Sequence, residues 1–372
     1  MNIGTRFVVM AVIGLCQTVA ANTIHVCPTC AHRTIQTAVS DAVSGDSISI
    51  AAGRYAENIT IEGKQLTLQG AAGGTSGVTE VYAAGRGPVF TLGSGVAGAT
   101  PELIEIHKLV IAHGNHTGGT GVGGGVQVRA GAYLHLYDSM VTQNLALRGG
   151  GIGVNSPGAP QTLISGCVID DNTASGTSEG GGGGGVAVQA ESVLSIQGST
   201  ITHNGSHAGG GIFSDTSTQL TITDSIISSN TVAVFGTRVG PGGGDGGGLE
   251  ASGSLSIAGS SFVNNVADGE GGGGGGLSLF LNPGDRHVIA NTIIARNSFT
   301  TDEPEGIGGG IVVSGDFAPP HSVLVLNSVY VVENSASPGG GGIWTADVTL
   351  ALTNTTVKDN IGGQICDNTG CN

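Results

Sequence analysis

The sequence has no basic cluster. Its 12 Lys and Arg residues stand against 27 Asp and Glu, for a formal net charge of -15. Nucleic acid and anionic membrane surfaces are therefore not expected as partners. Aromatic residues make up only 4% and charged residues only 10%, while Gly reaches 70 of 372 residues. The glycines follow no triplet period, which excludes collagen. Disorder is excluded in turn, because hydrophobic residues still make up 39% and recur in register. The acidity is read as what keeps a glycine-rich chain in solution, with Ca²⁺ binding by clustered carboxylates as the alternative.

No apolar stretch beyond the N-terminus is long enough to cross a bilayer as a helix. Residues 1–21 read as a signal peptide: Arg6 gives a short positive region, Phe7 to Leu15 an apolar one, and Thr18-Val19-Ala20 or Val19-Ala20-Ala21 a cleavage site. The mature chain is expected to begin at Ala21 or Asn22, to be secreted or held at the cell surface, and to form a single domain over 22–372. Lipidation of Cys16 is the weaker reading, since Leu15 stands where a small residue is wanted. Export permits disulfides. Cys27-Pro-Thr-Cys30 has three readings, a redox pair, half of a zinc site or a local staple. The staple is preferred, because no second ligand pair lies at zinc spacing and no βαβ unit surrounds it. Cys366 and Cys371 could close a short loop at the other end. Cys167 is expected to be a buried free thiol.

The organisation of the chain is written in residues 102–363. Glycine runs ending at Gly125, Gly151, Gly185, Gly211, Gly248, Gly276, Gly310 and Gly342 are each followed by an aliphatic residue. An Asn then closes each apolar segment: Asn144, Asn172, Asn204, Asn230, Asn265, Asn297, Asn334 and Asn360. The Gly-to-Asn distance stays between 17 and 24 residues, whereas the Asn-to-Gly distance runs from 7 to 18. One arm is thus the structural coil, and the other is a loop that accepts insertions at one corner. Three residues before the Asn stand Val141, Ile169, Ile201, Ile227, Phe262, Ile294, Val331 and Val357. Eight before it stand Leu136, Ile164, Ile196, Ile222, Ile257, Ile289, Leu326 and Leu352. Ten before it Leu recurs, with Thr162 and His287 as the exceptions, and five before it lie small residues such as Ser139, Cys167 and Ser225. Period-two segments joined by bends, with no helical period, predict short strands. One such unit cannot bury its own apolar face, but stacked units can. The fold expected is all-β: a right-handed parallel β-helix solenoid. The Asn amides would bond along the stack, and the glycines would allow positive φ and close stacking of turns. Ile35, Ala38, Val39 and Ala42 share one face of a short helix expected to cap the first coil, residues 22–70 forming the cap and entry coils and 364–372 a C-terminal cap.

Two resemblances follow from these motifs. Arg33-Thr34-Ile35-Gln36, Gly45-Asp46, Gly53-Arg54-Tyr55-Ala56-Glu57-Asn58 and Leu66-Thr67-Leu68-Gln69-Gly70 resemble the entry coils of right-handed β-helix proteins of the pectin-lyase-like superfamily, an opening that pectin methylesterases share. Over 123–360 the alternation is similar to the passenger repeats of polymorphic outer membrane proteins, which use GGA before Ile, Leu or Val, together with FxxN. Here the first is mostly a triple glycine, as in Gly149-Gly150-Gly151-Ile152, and the second is complete once, at Phe262-Val263-Asn264-Asn265. No series of amphipathic strands follows the repeats, so the likeness extends only to the passenger.

Chemistry is harder to find. Asp170-Asp171 is the only adjacent acidic pair in the coil arms, and Asp171 with His203 on the next coil is the best acid–base pair available, set against a solvated polar face. Arg296 and Glu333 read as a surface ion pair. Gly242-Gly243-Gly244-Asp245 resembles part of a calcium-binding nonapeptide, but its Asp does not recur every nine residues. P-loop and HExxH motifs are absent, and no cofactor is expected. The outward position nine before the Asn is too irregular for an ice-binding array. The reading preferred is a structural or adhesin-like β-helix that binds glycans or cell-surface components through its loop corner. A polysaccharide-active lyase, hydrolase or esterase is the alternative.

Overall fold

A computed structural model describes residues 21–71, 77–119, 121–176, 182–233, 246–269, 273–300, 308–315, 321–336, 339–367 and 370–371. Residues 1–20 of the expected signal peptide, with Cys16, lie outside the described residues. So do residues 234–245, most of the longest Asn-to-Gly arm.

Among the described residues the chain winds through four sheets in the order A, B, D, C and back to A. Sheet A has 12 strands, from Thr23–Val26 to Val348–Thr353, and sheet B has 11, from Gly53–Ala56 to Thr356–Lys358. Sheet C has 12 strands, from Ile59–Ile61 to Gly370–Cys371, and sheet D has 8, from Asn115–His116 to Ser335–Ala336. Strands pair parallel coil on coil. The exception is the last pair of sheet C, where Cys366 and Cys371 face each other in an antiparallel turn. The one helix among these residues, α1 (Ile35–Asp41), packs on the first strands of sheets A and C with Ile35, Ala38 and Val39 buried. Both carboxylate oxygens of Glu57 accept its first N–H groups, from Ile35 and Gln36, at 2.8 Å, which satisfies donors that have no partner within the helix.

The sequence columns are the ladders of this stack. Val141, Ile169, Ile201, Ile227, Phe262, Ile294, Val331 and Val357 are successive partners in sheet B. Leu136 through Leu352 are the same in sheet A. Their side chains alternate inward with period two and form one continuous apolar core, except on the last coil, where Leu352 is exposed and Val357 half-buried.

Each Asn is buried where sheet B turns into sheet D. Asn204 shows the pattern. Its amide nitrogen donates to Asn230 Oδ1 and to the Ile169 carbonyl, while its Oδ1 accepts the Asn172 backbone N–H and Nδ2. Repeated over the coils, this satisfies every side-chain polar atom of a column sealed from water. Gln364 closes the ladder by accepting from both nitrogens of Asn360. A second polar ladder runs at the A–B bend, where Ser199, Ser225 and Ser260 hydroxyls accept backbone N–H groups from the coil before and donate to carbonyls two residues back. Cys167 stands in this column.

The triple glycine has three separate causes. Gly149 has φ +57°. A Cβ on Gly150 would run into the carbonyl of Thr173, and one on Gly151 would lie 2.7 Å from the carbonyl of Gly185 and 3.1 Å from the Asn172 amide.

The Asn-to-Gly arm departs from the expectation of a plain loop. It begins with a strand of two or three residues, and these strands build sheet D. The second position, Ala146, Ala174, Ser206, Val232, Ala267, Phe299 and Ala336, is buried in all but the first strand, where His116 is half-buried. Sheet C's outward residues Ala187, Phe213, Ser278 and Val312 are buried too, although they point away from the core. Described parts of two arms lie over this sheet: Val122 blocks the space beside Gly153, and Ala208 packs on Ala187 and Phe213. Sheets A and B keep most of their outward positions accessible, with Ser195, Ala112 and Ala295 the buried exceptions.

Candidate functional site

Among the described residues, the outer face of sheet A carries the densest grouping of rings. In Ala132–Tyr137, Ala132, Leu134 and Leu136 enter the core, so Tyr133, His135 and Tyr137 point out. Parallel pairing with Glu102–His107 sets Leu103 beside Tyr133, Glu105 beside His135 and His107 beside Tyr137. The His107 and Tyr137 rings stack, with centroids 4.7 Å apart and planes 18° from parallel. Along the strand, Tyr133 meets His135 edge to face at 5.6 Å, and His135 meets Tyr137 at 6.1 Å. Such offset and edge arrangements suit the ring quadrupoles.

Polar groups frame this strip. Glu105 lies 3.9 Å from His135 Nδ1 and accepts a hydrogen bond from Thr67 Oγ1 at 3.2 Å. Burial, with a smaller contribution from Glu105, pushes the Tyr137 phenol pKa upward, so it stays a neutral donor. Two hollows flank the strip. One, of about 110 Å³, is lined by Asp46, Thr67, Leu103 and Glu105. The other, of about 380 Å³, lies around the A–B corner between Lys108, Asp138, Met140 and Val168. Asp46 is held anionic below the usual carboxylate range by the N–H groups of Asn22 and Val43.

The acid–base pair read from the sequence is rearranged. Asp171 and His203 do stand at the same corner on successive coils, but His203 Nδ1 bonds Asp170 Oδ1, at 3.0 Å. The residue before each Asn takes a left-handed conformation, with φ 55° at Asp171 and 51° at His203. Asp171 is therefore turned into the corner itself, exposed, while Asp170 sits on sheet B opposite Thr202. The His203 side chain is 66% exposed, and its further partner is Thr202. An exposed imidazole hydrogen-bonded to one carboxylate is a solvated polar contact of the corner. Arg296 and Glu333 form another exposed pair at 3.5 Å.

Cys27 is joined to Cys30 and Cys366 to Cys371. Cys167 is free and buried, and burial pushes its thiol up to about 11, which makes it inert. Among the described residues, no three His, Cys, Asp or Glu side chains gather closely enough to hold a metal ion. No helix among them is long and apolar enough to cross a membrane.

The ring strip was not singled out from the sequence. Its three outward residues alternate cleanly within one strand, but only the neighbouring strand at Glu105 and His107 completes the cluster. A local alternation of Tyr, His and Tyr in a chain with few aromatics was the available signal.

Comparison with known proteins places the architecture. The model of the right handed beta helix region matches residues 94–299 and 150–372. No curated protein matches. Among solved structures, the crystal structure of pectate lyase Pel9A is similar at 14% identity, over 92% of this chain and 80% of that one, with a TM-score of 0.38, too distant to carry any residue across. The two family matches together span well over half of the sequence, and the chain belongs to the right-handed β-helix family.

Proposed function

We propose that this protein is an exported, surface-exposed β-helix of structural or adhesin-like role, and that it binds neutral glycans on the outer face of sheet A. The observation that carries the proposal is the His107–Tyr137 stack continued by His135 and Tyr133. Each ring of the His107–Tyr137 stack keeps one face clear of the other ring, and such a face can meet the C–H groups of a pyranose, while Thr67, Glu105 and the phenols supply hydrogen bonds to its hydroxyls. Regular strands fix these groups better than loops would. The net charge of -15 and the absence of a basic cluster disfavour polyuronates. The loop corner favoured by the sequence yields to sheet A, because described parts of the arms lie over sheet C. Surface exposure is supported by the apolar N-terminal segment and by the repeats similar to outer-membrane passengers.

A glycan array probed with the purified protein and with Tyr133→Ala/Tyr137→Ala is the test. Binding to neutral glycans is expected, with loss of at least about tenfold in the variant and an unchanged melting temperature. Undiminished binding by the variant would overturn the placement. Shortened products after incubation with the bound glycan would favour the polysaccharide-active reading instead.

A further inference from the structure

Sheet B presents an outer face unlike the rest of the surface. Four residues before each Asn, successive coils place Val168, Thr200, Ile226, Ser261, Ile293 and Tyr330 as direct neighbours. Large and small side chains alternate from Val168 to Ile293. The large ones stand in solvent: Val168 is 39%, Ile226 48%, Ile293 47% and Tyr330 54% exposed. The parallel column two residues on reads Ser228, Val263, Ala295 and Val332 over the later coils. From the Asn230 coil to the Asn334 coil, neither outward column carries a charge, in a chain of net charge -15.

We infer that this face pairs with a second copy of the same chain across a twofold axis. Two molecules so acidic repel each other wherever carboxylates oppose. Over these four coils two copies can meet without that cost, and the one other charged outward residue of the two columns between the Val168 and Tyr330 coils, Asp170 on the Val168 coil, is bonded to His203 of its own chain. Its shape selects the partner as well. A corrugated face cannot lie flat on a planar crystalline ligand, but it complements itself. With the axis between the coils of Ile226 and Ser261, Ile226 seats over the second copy's Ser261, and Ile293 over its Thr200. Val168 then meets Tyr330. Packed sheets interdigitate in this way, and a twofold makes the contact close on itself rather than propagate. A stripe two columns wide and roughly 24 Å long covers less than the roughly 800 Å² per partner of a stable complex. The dimer is therefore weak and reversible. It leaves sheet A free, independent of whether that face binds glycans.

Sedimentation velocity of the mature protein from about 1 μM to about 500 μM tests this, with Ile293→Asp and Ser261→Leu beside the wild type. Each variant is checked by thermal unfolding; both positions face solvent. A concentration-dependent shift from monomer to dimer is expected. Ile293→Asp should stay monomeric. Ser261→Leu should raise the dissociation constant at least tenfold, because it fills the hole that receives Ile226, even though it adds apolar surface. A wild type that is monomeric throughout overturns the proposal. So does open-ended association, or a Ser261→Leu variant that associates more strongly, since either marks an unspecific apolar patch.

Discussion

Asn230 and His287 are both polar side chains sealed inside a stack of aliphatic columns, at 0% and 1% exposure. Asn230 bonds through both side-chain atoms to the coils on either side. Neither ring nitrogen of His287 has a partner. The difference is one of place. Asn230 sits at a corner where the backbone of each coil turns N–H and C=O groups toward the stack. His287 stands mid-strand in sheet A beside Leu324, where backbone groups point along the sheet to their own partners and leave a side chain nothing to bond. A stack repeats whatever it places at a position, so a polar side chain is stabilising where its neighbours can answer it and costly where they are aliphatic.

The largest expected effect comes from creating a worse His287. Ile227→Asp puts an unpaired carboxylate between Ile201 and Phe262. It should cost about 4 kcal/mol or more, read as loss of folded protein in urea. Next, Asn230→Ala removes the acceptor of Asn204's N–H and amide and leaves the Ile201 carbonyl bare. A loss of roughly 2–4 kcal/mol is expected, since buried orphans bear the full desolvation cost. If this variant costs no more than an exposed substitution, the ladder is not what holds the corner.

His287→Leu should act in the opposite direction and raise stability by roughly 1–2 kcal/mol at neutral pH. Burial lowers the pKa of His287 in the fold, against a weaker opposing pull from Asp285. The unfolded chain then binds the proton more readily. Stability is full above the ordinary histidine value of about 6.5 and declines as pH falls below it. Chemical unfolding between about pH 7 and pH 5 should show that decline in the wild type and a smaller one in His287→Leu. Equal slopes would mean that the ring is hydrated or paired. The smallest effect belongs to Cys167→Ser. A hydroxyl there joins the column of Ser139 and Ser199, so a change within about 1 kcal/mol is expected, with no loss of disulfides by peptide mapping.

What the sequence made legible follows the same logic. The Ile and Leu columns of sheets A and B were readable because one coil repeats another at a fixed offset from Asn, and the offset survives insertions elsewhere. Sheet D was not readable. Two residues such as Thr173-Ala174 carry no period, and the arm's variable length hid their register. Gln364 closes the Asn ladder from a position no column predicts. At the candidate corner, Asp170 and Asp171 looked interchangeable in one dimension, and only the left-handed φ at Asp171 separates them. The ring strip needed two strands 30 residues apart, Glu105 beside His135 and His107 beside Tyr137.

The histidines report directly on which open surface meets the ligand. His107 and His135 lie in the strip on sheet A, and His203 lies at the corner beside Asp170. Diethylpyrocarbonate labelling, read by mass spectrometry with and without a glycan that scores on the array, compares the two sites in one sample. Protection of His107 and His135, with His203 labelled as before, is the result expected. Protection of His203 alone, with the sheet A histidines fully labelled, would contradict it and move the site to the corner.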